Sequence, residues 1–416
     1  MIDPQKTSVL LDTDEIEFTL GTQQYRLLCD VVLDVNPNPR VSFRVKGLEP
    51  FSAWAERRPI SFHLLKADVR GEAFVGDIKG GVVSLSPTEE PIPGTGTSDL
   101  VELQFDLINF PTFWAMTSSS TRGPKDHLDV VTADWCIEIR EPRKSLETEV
   151  FRSELYLVTH SCLVRKNDKR TFTSKAAQDL LKVVHDVMTF AAGRWVAPIY
   201  VKGLGRDQNV IWKEWGTRPL HPNLSRLVTW FDAHHGESLI ATLSGALSLY
   251  TDSTRAEKFH TALYWYVRSS AAPAGVDGGI ILLQAALERL AWQRLVSERK
   301  ALSPDGFGRI SADDKIRLLI EHCEIPKEIP GGLGDLHRKG LERNWDGPKA
   351  ITEVRNQLVH PKHGGPFPYY DAWRLAEWYV ELVLLRTIGY DGKYFNRTKA
   401  VYWVGDVDSV PWAKPE

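Results

Sequence analysis

The sequence lacks the patterns by which several protein classes are recognised. Four cysteines are spread over 416 residues, without a Cys-x-x-Cys pair or zinc-ligand spacing, which excludes a disulfide scaffold and a structural zinc motif. No run of about eighteen uncharged apolar residues occurs, which excludes a membrane span. Acidic residues stand near the start of the chain, where a signal peptide would need basic ones. We therefore expect a cytoplasmic protein with reduced cysteines and no membrane partner.

Motifs for common cofactors and nucleophiles are absent as well. The segment PIPGTGTS at 91–98 lacks the lysine of a phosphate-binding loop, and no Gly-x-Ser-x-Gly sequence occurs. The cluster DAHHGE at 232–237 holds four side chains of metal-ligand type, but no second group stands at ligand spacing. A turn between helices is the interpretation we favour for this cluster over a metal site. We expect neither a cofactor nor a metal.

The chain also lacks a charge excess. Its formal net charge is −3, so no overall basic field attracts nucleic acid, and any RNA must bind at a local patch. Hydrophobic residues make up 43% and charged residues 25%, which is typical of globular proteins. A chain of this length is expected to form two or three domains.

Residues 1–168 carry the pattern of an antiparallel β domain. Short alternating or β-branched runs such as RVSFRV, ISFHLL and DWCIEIR recur between turn-forming groups. Roughly eight or more strands at this spacing predict a sandwich or a barrel-like sheet. The segment TSSSTRGPKDH at 117–127 is expected to be an exposed loop.

The remainder of the chain is predicted to be mostly helical, which makes the fold class α+β and multidomain. A connecting region at 169–254 begins with a helix capped by Thr173 or Ser174 and stopped by Gly193. Two strand-like runs, WVAPIYV and NVIWKEW, then predict a hairpin, and LSRLVTWFDA predicts a further helix. Residues 255–390 form a predicted helical bundle, and 391–416 a C-terminal tail with a strand at AVYWVG.

The most informative stretch is ITEVRNQLVHPKHGG at 351–365. Arg355, Asn356 and His360 lie within about one and a half helical turns, and Asn356 and His360 share one face. Because a residue before proline avoids the α region, Pro361 predicts that the helix ends at or near His360. A planar guanidinium that binds phosphate and an imidazole that titrates near neutral pH are suited to cleaving RNA without a metal.

The spacing Arg-Asn-x-x-x-His resembles the signature of HEPN ribonucleases, and the order of parts is similar to that of the ApeA-like bacterial anti-phage defence proteins. The resemblance implies a short helical bundle with the motif on the helix before the last. It also implies a metal-independent endoribonuclease that leaves 2′,3′-cyclic phosphate and 5′-hydroxyl ends. A homodimer would join two motifs in one cleft, and the substrate would be single-stranded or loop RNA such as tRNA. By the same resemblance, residues 1–168 would act as a sensor or regulator, and a phage-derived trigger would release the activity in abortive defence.

Each candidate residue has a chemical role and an alternative. Arg355 would clamp the phosphate, and His360 would be base or acid, which the sequence leaves open. Asn356 would position His360 or bond the local backbone. Lys362 and His363 would contact RNA phosphates or belong to a solvated loop. Glu288 would orient Arg355, pair with a core arginine, or lie exposed.

Two other functions remain open. A non-catalytic HEPN-like module would bind RNA or dimerise, with the β domain as a ligand sensor. A carbohydrate-binding β sandwich is the third alternative, and the absence of paired carboxylates in a suitable setting disfavours it.

Overall fold

The computed structural model describes most of the chain. The described residues are 8–34, 39–47, 58–79, 81–115, 127–141, 158–221, 227–270, 275–360, 367–399, 403 and 405–414. Contacts within the chain define two compact units. The first comprises Met1–Thr112, His127–His185 and Val196–Ser225, and the second comprises Phe113–Asp126, Asp186–Trp195 and Arg226–Glu416.

Six antiparallel strands of the first unit close into a barrel. They are β1 (Ser8–Leu20), β2 (Gln23–Asp34), β3 (Arg40–Lys46), β4 (Ile60–Leu64), β5 (Val69–Lys79) and β6 (Val82–Pro87). Their order around the barrel is β1-β2-β3-β6-β5-β4. The alternating pattern explains the closure, because Val41, Phe43 and Val45 of β3 are fully buried on one face. The predicted antiparallel β domain is confirmed, with a barrel in its first part.

The first unit also contains a seven-stranded antiparallel sheet. Its strands are β7 (Ile92–Pro93), β8 (Glu102–Ile108), β9 (His127–Val131), β10 (Trp135–Arg140), β11 (Val158–Lys166), β12 (Pro198–Leu204) and β13 (Val210–Trp215). The order is β7-β13-β12-β8-β11-β10-β9. The predicted hairpin is therefore confirmed as β12–β13, and β12 pairs with β8 of the N-terminal part.

Helix α1 (Ser174–Ala192) has the predicted ends. The Thr173 hydroxyl accepts a hydrogen bond from the backbone N–H of Ala176 at 3.0 Å, which satisfies one of the unpaired donors of the first turn. Gly193 follows with a φ of 67°, the left-handed conformation that commonly ends a helix.

The second unit is mainly helical. Its helices are α2 (Ser238–Leu249), α3 (Ser253–Ser270), α4 (Gly275–Ala291), α5 (Pro304–Arg309), α6 (Ala312–His322), α7 (Gly334–Arg343), α8 (Gly347–Val359) and α9 (Tyr369–Thr387). Helix α4 packs against α3, α6, α8 and α9, and α8 also contacts α6 and α9. The predicted core helix at 279–299 is thus α4, whose continuation, Trp292–Glu298, is π-helical.

One predicted helix is wrong. The described part of LSRLVTWFDA, 227–233, is not helical. Its polar groups bond to distant parts of the chain instead: the Thr229 hydroxyl donates to the Ala191 carbonyl at 2.8 Å, and the Trp230 N–H donates to Glu381 at 3.1 Å. The backbone groups of Val228 and Trp230 thus bond to Arg397, Glu381 and Phe395 in place of helical partners. The sequence pattern also missed α5 and α7.

The compact units divide the chain differently from the predicted domains. Residues 196–225 of the predicted connecting region belong to the first unit, because their hairpin extends its sheet. The predicted tail is held within the second unit by the pair β14 (Lys393–Tyr394) and β15 (Asp408–Ser409), and by the Phe395 N–H, which donates to the Trp230 carbonyl at 2.7 Å. Most of the predicted AVYWVG strand and residues 117–126 of the predicted loop lie outside the described residues.

None of the described helices combines the length and the apolar character needed to cross a bilayer.

Candidate functional site

Helix α8, which carries the motif, begins at a capping signal. The Asp346 side chain accepts a hydrogen bond from the backbone N–H of Lys349 at 2.9 Å, and Pro348 lies in the first turn, where its missing N–H is not needed. Ile351 and Val354 are fully buried on the face toward the bundle. Capping and burial together fix the direction of the helix and of the motif that follows.

The helix ends where the sequence predicted. His360 is the C-cap residue, with φ −130° and ψ 73°, and its backbone N–H donates to the Asn356 carbonyl at 2.8 Å. The non-helical conformation fits a residue that precedes Pro361. The His360 side chain is exposed, as is its neighbour Val359. An exposed imidazole at a helix end can reach a bound molecule.

Arg355 and Asn356 are half-buried and contact each other. The Arg355 Nη1 donates to the Asn356 Oδ1 at 3.3 Å, so the amide holds the guanidinium beside the helix end. Among the residues that the structure describes, no carboxylate forms an ion pair with Arg355. Its positive charge is therefore available to an anion such as a phosphate.

A neighbouring arginine shows the opposite situation. Arg317 of α6 pairs with Asp346 at 2.6 Å and also with Asp314 and Asp313. The hydrogen bond that Arg317 donates to Asp346 is the main cause that raises the pKa of Arg317. Three carboxylates thus neutralise Arg317 and anchor the start of α8, whereas no described carboxylate neutralises Arg355 near its end.

Glu288 lies on α4 and contacts two residues other than the motif. Its Oε1 accepts a hydrogen bond from the Gln284 amide at 3.0 Å, and its Oε2 lies 3.7 Å from Lys315 Nζ. These are the partners that the structure gives this carboxylate within the described part of the chain. The proposed orientation of Arg355 by Glu288 finds no contact in support.

Lys362 and His363, the candidate substrate-binding residues, lie outside the described residues.

Sequence reasoning missed a buried ionic network between α9 and the C-terminal segment. Arg397 donates to both oxygens of Glu381, at 2.6 and 2.9 Å, and also pairs with Glu377. The Tyr266 hydroxyl and the Trp230 backbone N–H donate to Glu381 Oε1 at 2.5 and 3.1 Å. All five residues are at least 96% buried. The one signal in the sequence was two glutamates four residues apart in the apolar run AEWYVELVLL.

The two acids of this network share one cation. Burial raises the pKa of Glu377 to about 7, and the opposing influence of Arg397 only partly offsets it. The Ser270 hydroxyl also donates to Glu377 at 2.8 Å. We assign this network to holding the C-terminal segment against the bundle.

A second missed constellation lies at Asp186 of α1. Its fully buried carboxylate accepts a hydrogen bond from the Tyr250 hydroxyl and lies 2.9 Å from His260 Nδ1. The carboxylate orients the half-exposed imidazole, an arrangement also found in general bases. In this protein the contact between Asp186 and His260 links α3 to the second half of α1.

The DAHHGE segment forms a turn before α2. The Asp232 carboxylate accepts hydrogen bonds from the backbone N–H groups of His234, at 2.7 Å, and Gly405, at 3.1 Å. His235 Nδ1 lies 3.2 Å from Glu237. Among the described residues no group of three or more His, Cys, Asp and Glu side chains is placed to hold a metal ion. The polar residues of this segment stabilise a turn, as the sequence predicted, but only its following side is helical, because the preceding residues 227–231 form no helix.

Two family models match this chain. Residues 95–225 match the YopA central domain, and residues 252–409, which include Arg355, Asn356 and His360, match the YopA C-terminal domain. The chain is also 29% identical over 263 residues to the SPbeta prophage-derived uncharacterized protein YopA of Bacillus subtilis (strain 168). That alignment covers 62% of this chain and 58% of the relative. No solved structure matches. The chain is thus similar to YopA proteins in its central and C-terminal parts.

Proposed function

We propose that this protein is a metal-independent endoribonuclease of the HEPN type, with Arg355, Asn356 and His360 as its catalytic residues. One observation carries the proposal: an exposed histidine at a helix end lies about one and a half turns from an arginine that no described carboxylate neutralises. Helices α8 and α9, the motif helix and the last helix, also follow the order expected of a HEPN bundle.

The reaction is a transesterification within the RNA strand. The 2′-oxygen attacks the adjacent phosphorus and loses its proton to a base, while the bond from phosphorus to the 5′-oxygen breaks and an acid protonates that oxygen. The guanidinium of Arg355 stabilises the charge on the non-bridging oxygens. Asn356 holds this guanidinium, and His360 exchanges a proton as base or acid. The products are a 2′,3′-cyclic phosphate and a 5′-hydroxyl.

One motif supplies one histidine, whereas the reaction needs both a base and an acid. A homodimer that joins two α8 helix ends would supply both, together with two Arg355 side chains. The exposure of His360 and Val359 is compatible with such a cleft. Splayed bases in loops are more accessible than a duplex, so a tRNA loop or mRNA in the cytoplasm is the substrate that we propose.

The first unit would regulate this activity. An unrestrained ribonuclease is toxic, and a β unit that responds to a phage-derived signal would confine cleavage to infected cells in abortive defence. The similar Bacillus protein is prophage-derived by name, which fits a role in competition involving phages.

The test compares wild type with His360→Ala and Arg355→Ala in a host, with and without phage infection. Total RNA is sequenced for new 5′-hydroxyl ends. Loss of a general acid or base in His360→Ala lowers cleavage by roughly 100- to 10,000-fold. Loss of charge stabilisation in Arg355→Ala lowers it by roughly 100- to 1,000-fold, so the new ends should disappear in both variants. The matched control is His322→Ala, which removes another exposed histidine at the end of α6.

Two results would contradict the proposal. Equal cleavage by wild type and both variants would remove the motif from the reaction, and loss of cleavage by purified protein in EDTA would contradict a metal-independent mechanism. RNA bound but uncut in every condition would favour the non-catalytic HEPN-like module.

A further inference from the structure

A cavity of about 300 Å³ lies within the first unit. Strands β1 and β2 of the barrel form one wall, with Val9, Leu11 and Leu33, and the seven-stranded sheet forms the other through β8, β11, β12 and β13. This volume is at the small end of known small-molecule sites. A cavity closed by two different sheets is suited to a compact ligand.

Two hydrogen-bond donors in the lining have no acceptor. Tyr200 and Trp215 both line the cavity, and the Tyr200 hydroxyl and the Trp215 Nε1 are buried without a hydrogen-bond partner among the described residues. Trp215 is only 4% exposed, so solvent does not readily replace the missing acceptor. Buried donors in folded proteins are nearly always paired, and acceptors on a ligand would satisfy these two.

The backbone places Tyr200 at the cavity through a bulge. Ile199 pairs with Asp106 and Lys202 pairs with Gln104, so β12 contains one more residue than β8 over this interval. Tyr200 lies in that interval with a φ of 53°, the left-handed region that bulky side chains rarely adopt. Bulges of this kind redirect a side chain and occur frequently beside binding sites.

The charged groups of the lining largely balance one another. Lys213 pairs with Asp12 at 2.5 Å, and Glu214 pairs with Arg218 at 2.7 Å. Asp106 carries a carboxyl whose pKa is raised by burial and lowered in part by a hydrogen bond from Ser161. Lys202 also lines the cavity, and its charge lowers the pKa of Asp106. Each charged group of the lining therefore lies near a group of opposite sign, so the lining favours a neutral ligand.

We propose that this cavity binds a small uncharged heteroaromatic molecule of the nucleobase or nucleoside class. The carbonyl and ring-nitrogen acceptors of a base would bond to Tyr200 and Trp215, and its amino or imino donor would bond to Asp106. The flat ring would contact Val9, Leu11 and the other aliphatic side chains. This binding is independent of the RNA cleavage proposed above.

The test titrates the full-length protein with adenosine, guanosine, cytidine and uridine, and with their 5′-monophosphates, by saturation-transfer NMR and calorimetry. We expect at least one nucleoside to bind with a submillimolar Kd. Its monophosphate should bind at least tenfold more weakly, because the two lysines of the lining already interact with carboxylates, Lys213 with Asp12 and Lys202 with Asp106.

Variants locate the binding. Tyr200→Phe keeps the ring and removes one hydrogen bond, and should weaken binding roughly three- to tenfold. Val158→Phe should fill the cavity and abolish binding. Tyr25→Phe removes a hydroxyl from β2 of the same unit outside the cavity lining and should leave the affinity unchanged.

Three outcomes would overturn the proposal: no binding of any of the four nucleosides at millimolar concentration, tighter binding of the monophosphates, or an unchanged affinity in Tyr200→Phe. If Val158→Phe fails to fold, Tyr200→Phe decides alone. Because the assay contains no RNA, its failure leaves the ribonuclease proposal untouched.

Discussion

The substitution Glu377→Gln is expected to change how the stability of the second unit depends on pH. Glu377 is 1% exposed on α9, and burial raises the pKa of its carboxyl from 4.5 to about 7. Arg397 does not reverse this effect, because Arg397 is shared with Glu381. Glu381 also accepts hydrogen bonds from the Tyr266 hydroxyl and the Trp230 backbone N–H. The buried network thus holds two acids and one permanent cation.

The sign follows from the two pKa values of Glu377. Below about pH 4.5 the carboxyl is protonated in both the folded and the unfolded chain, and its contribution to stability is fully present. Between about pH 4.5 and 7 only the unfolded chain releases the proton, so the stability falls as the pH rises. At about 1.4 kcal/mol for each tenfold change in proton affinity, the total loss is roughly 3 kcal/mol.

Glutamine at position 377 stays neutral at every pH. Its carbonyl can accept from Arg397 and its amide can donate to the Ser270 hydroxyl, so the network keeps its hydrogen bonds. Relative to this variant, wild type should lose roughly 3 kcal/mol of stability between pH 4.5 and pH 8, mostly below pH 7. Subtracting the two curves cancels every other titration that they share.

The assay uses the full-length protein in urea at a series of pH values, followed by a short pulse of deuterium labelling at one fixed pH. Mass spectrometry of peptides from α9 then gives the unfolding midpoint of this unit. Glu257→Gln, at a side chain 71% exposed on α3, is the control and should run parallel to wild type. Parallel curves for Glu377→Gln and wild type would refute the reasoning.

Two further substitutions test the second unit by the same assay. Arg397→Met leaves Glu377 and Glu381 buried without their cation and should lower the free energy of unfolding by about 3–5 kcal/mol. Lys399→Met, at a partly exposed ion pair, should lower it by less than about 1 kcal/mol. Similar losses in the two variants would contradict a buried network. Asn344→Ala should lower the free energy of unfolding by about 1 kcal/mol, because this C-cap residue of α7 has a φ of 53°, a left-handed conformation that alanine disfavours. Asn344→Gly should leave the free energy of unfolding unchanged. Equal losses in the two variants would show that the left-handed conformation is not the cause.

Local signals accounted for much of the fold. The alternation in RVSFRV predicted a half-buried strand, the Thr173 cap and Gly193 predicted both ends of α1, and Pro361 predicted the end of α8 at His360. Each of these features is decided by residues within a few positions of one another. That is why the sequence alone was sufficient for them.

Long-range pairing accounts for what the sequence could not predict. The run LSRLVTWFDA has helical spacing, yet Val228 and Trp230 are held by Arg397 and Glu381, more than a hundred residues away. The sequence left open whether Glu288 orients Arg355, pairs with a core arginine or lies exposed, and the fold places it beside Lys315. A sequence pattern does not identify the partner of a buried polar group when that partner lies on another helix.

The candidate cavity was out of reach for the same reason. Its lining joins Val9, Asp106, Tyr200 and Trp215, none of which stands in a recognisable motif. A glycine would have signalled the bulge on β12, but the left-handed position is occupied by tyrosine. Backbone strain of about 1–3 kcal/mol at such a residue must be offset by its surroundings, and function is a common reason to retain it.

Anchoring and the proposed chemistry reside in different residues of the second unit. Asp346 and Arg317 fix the start of α8, and Arg397 fixes the segment that follows α9, whereas His360 is exposed at the helix end. A catalytic group held on a rigid helix can be precisely positioned and yet contribute little to folding. His360→Ala should therefore remove RNA cleavage at unchanged stability, whereas Arg397→Met would lower both together. A loss of cleavage in His360→Ala that came with loss of structure would make His360 a structural residue and would deprive the proposed mechanism of its proton donor or acceptor.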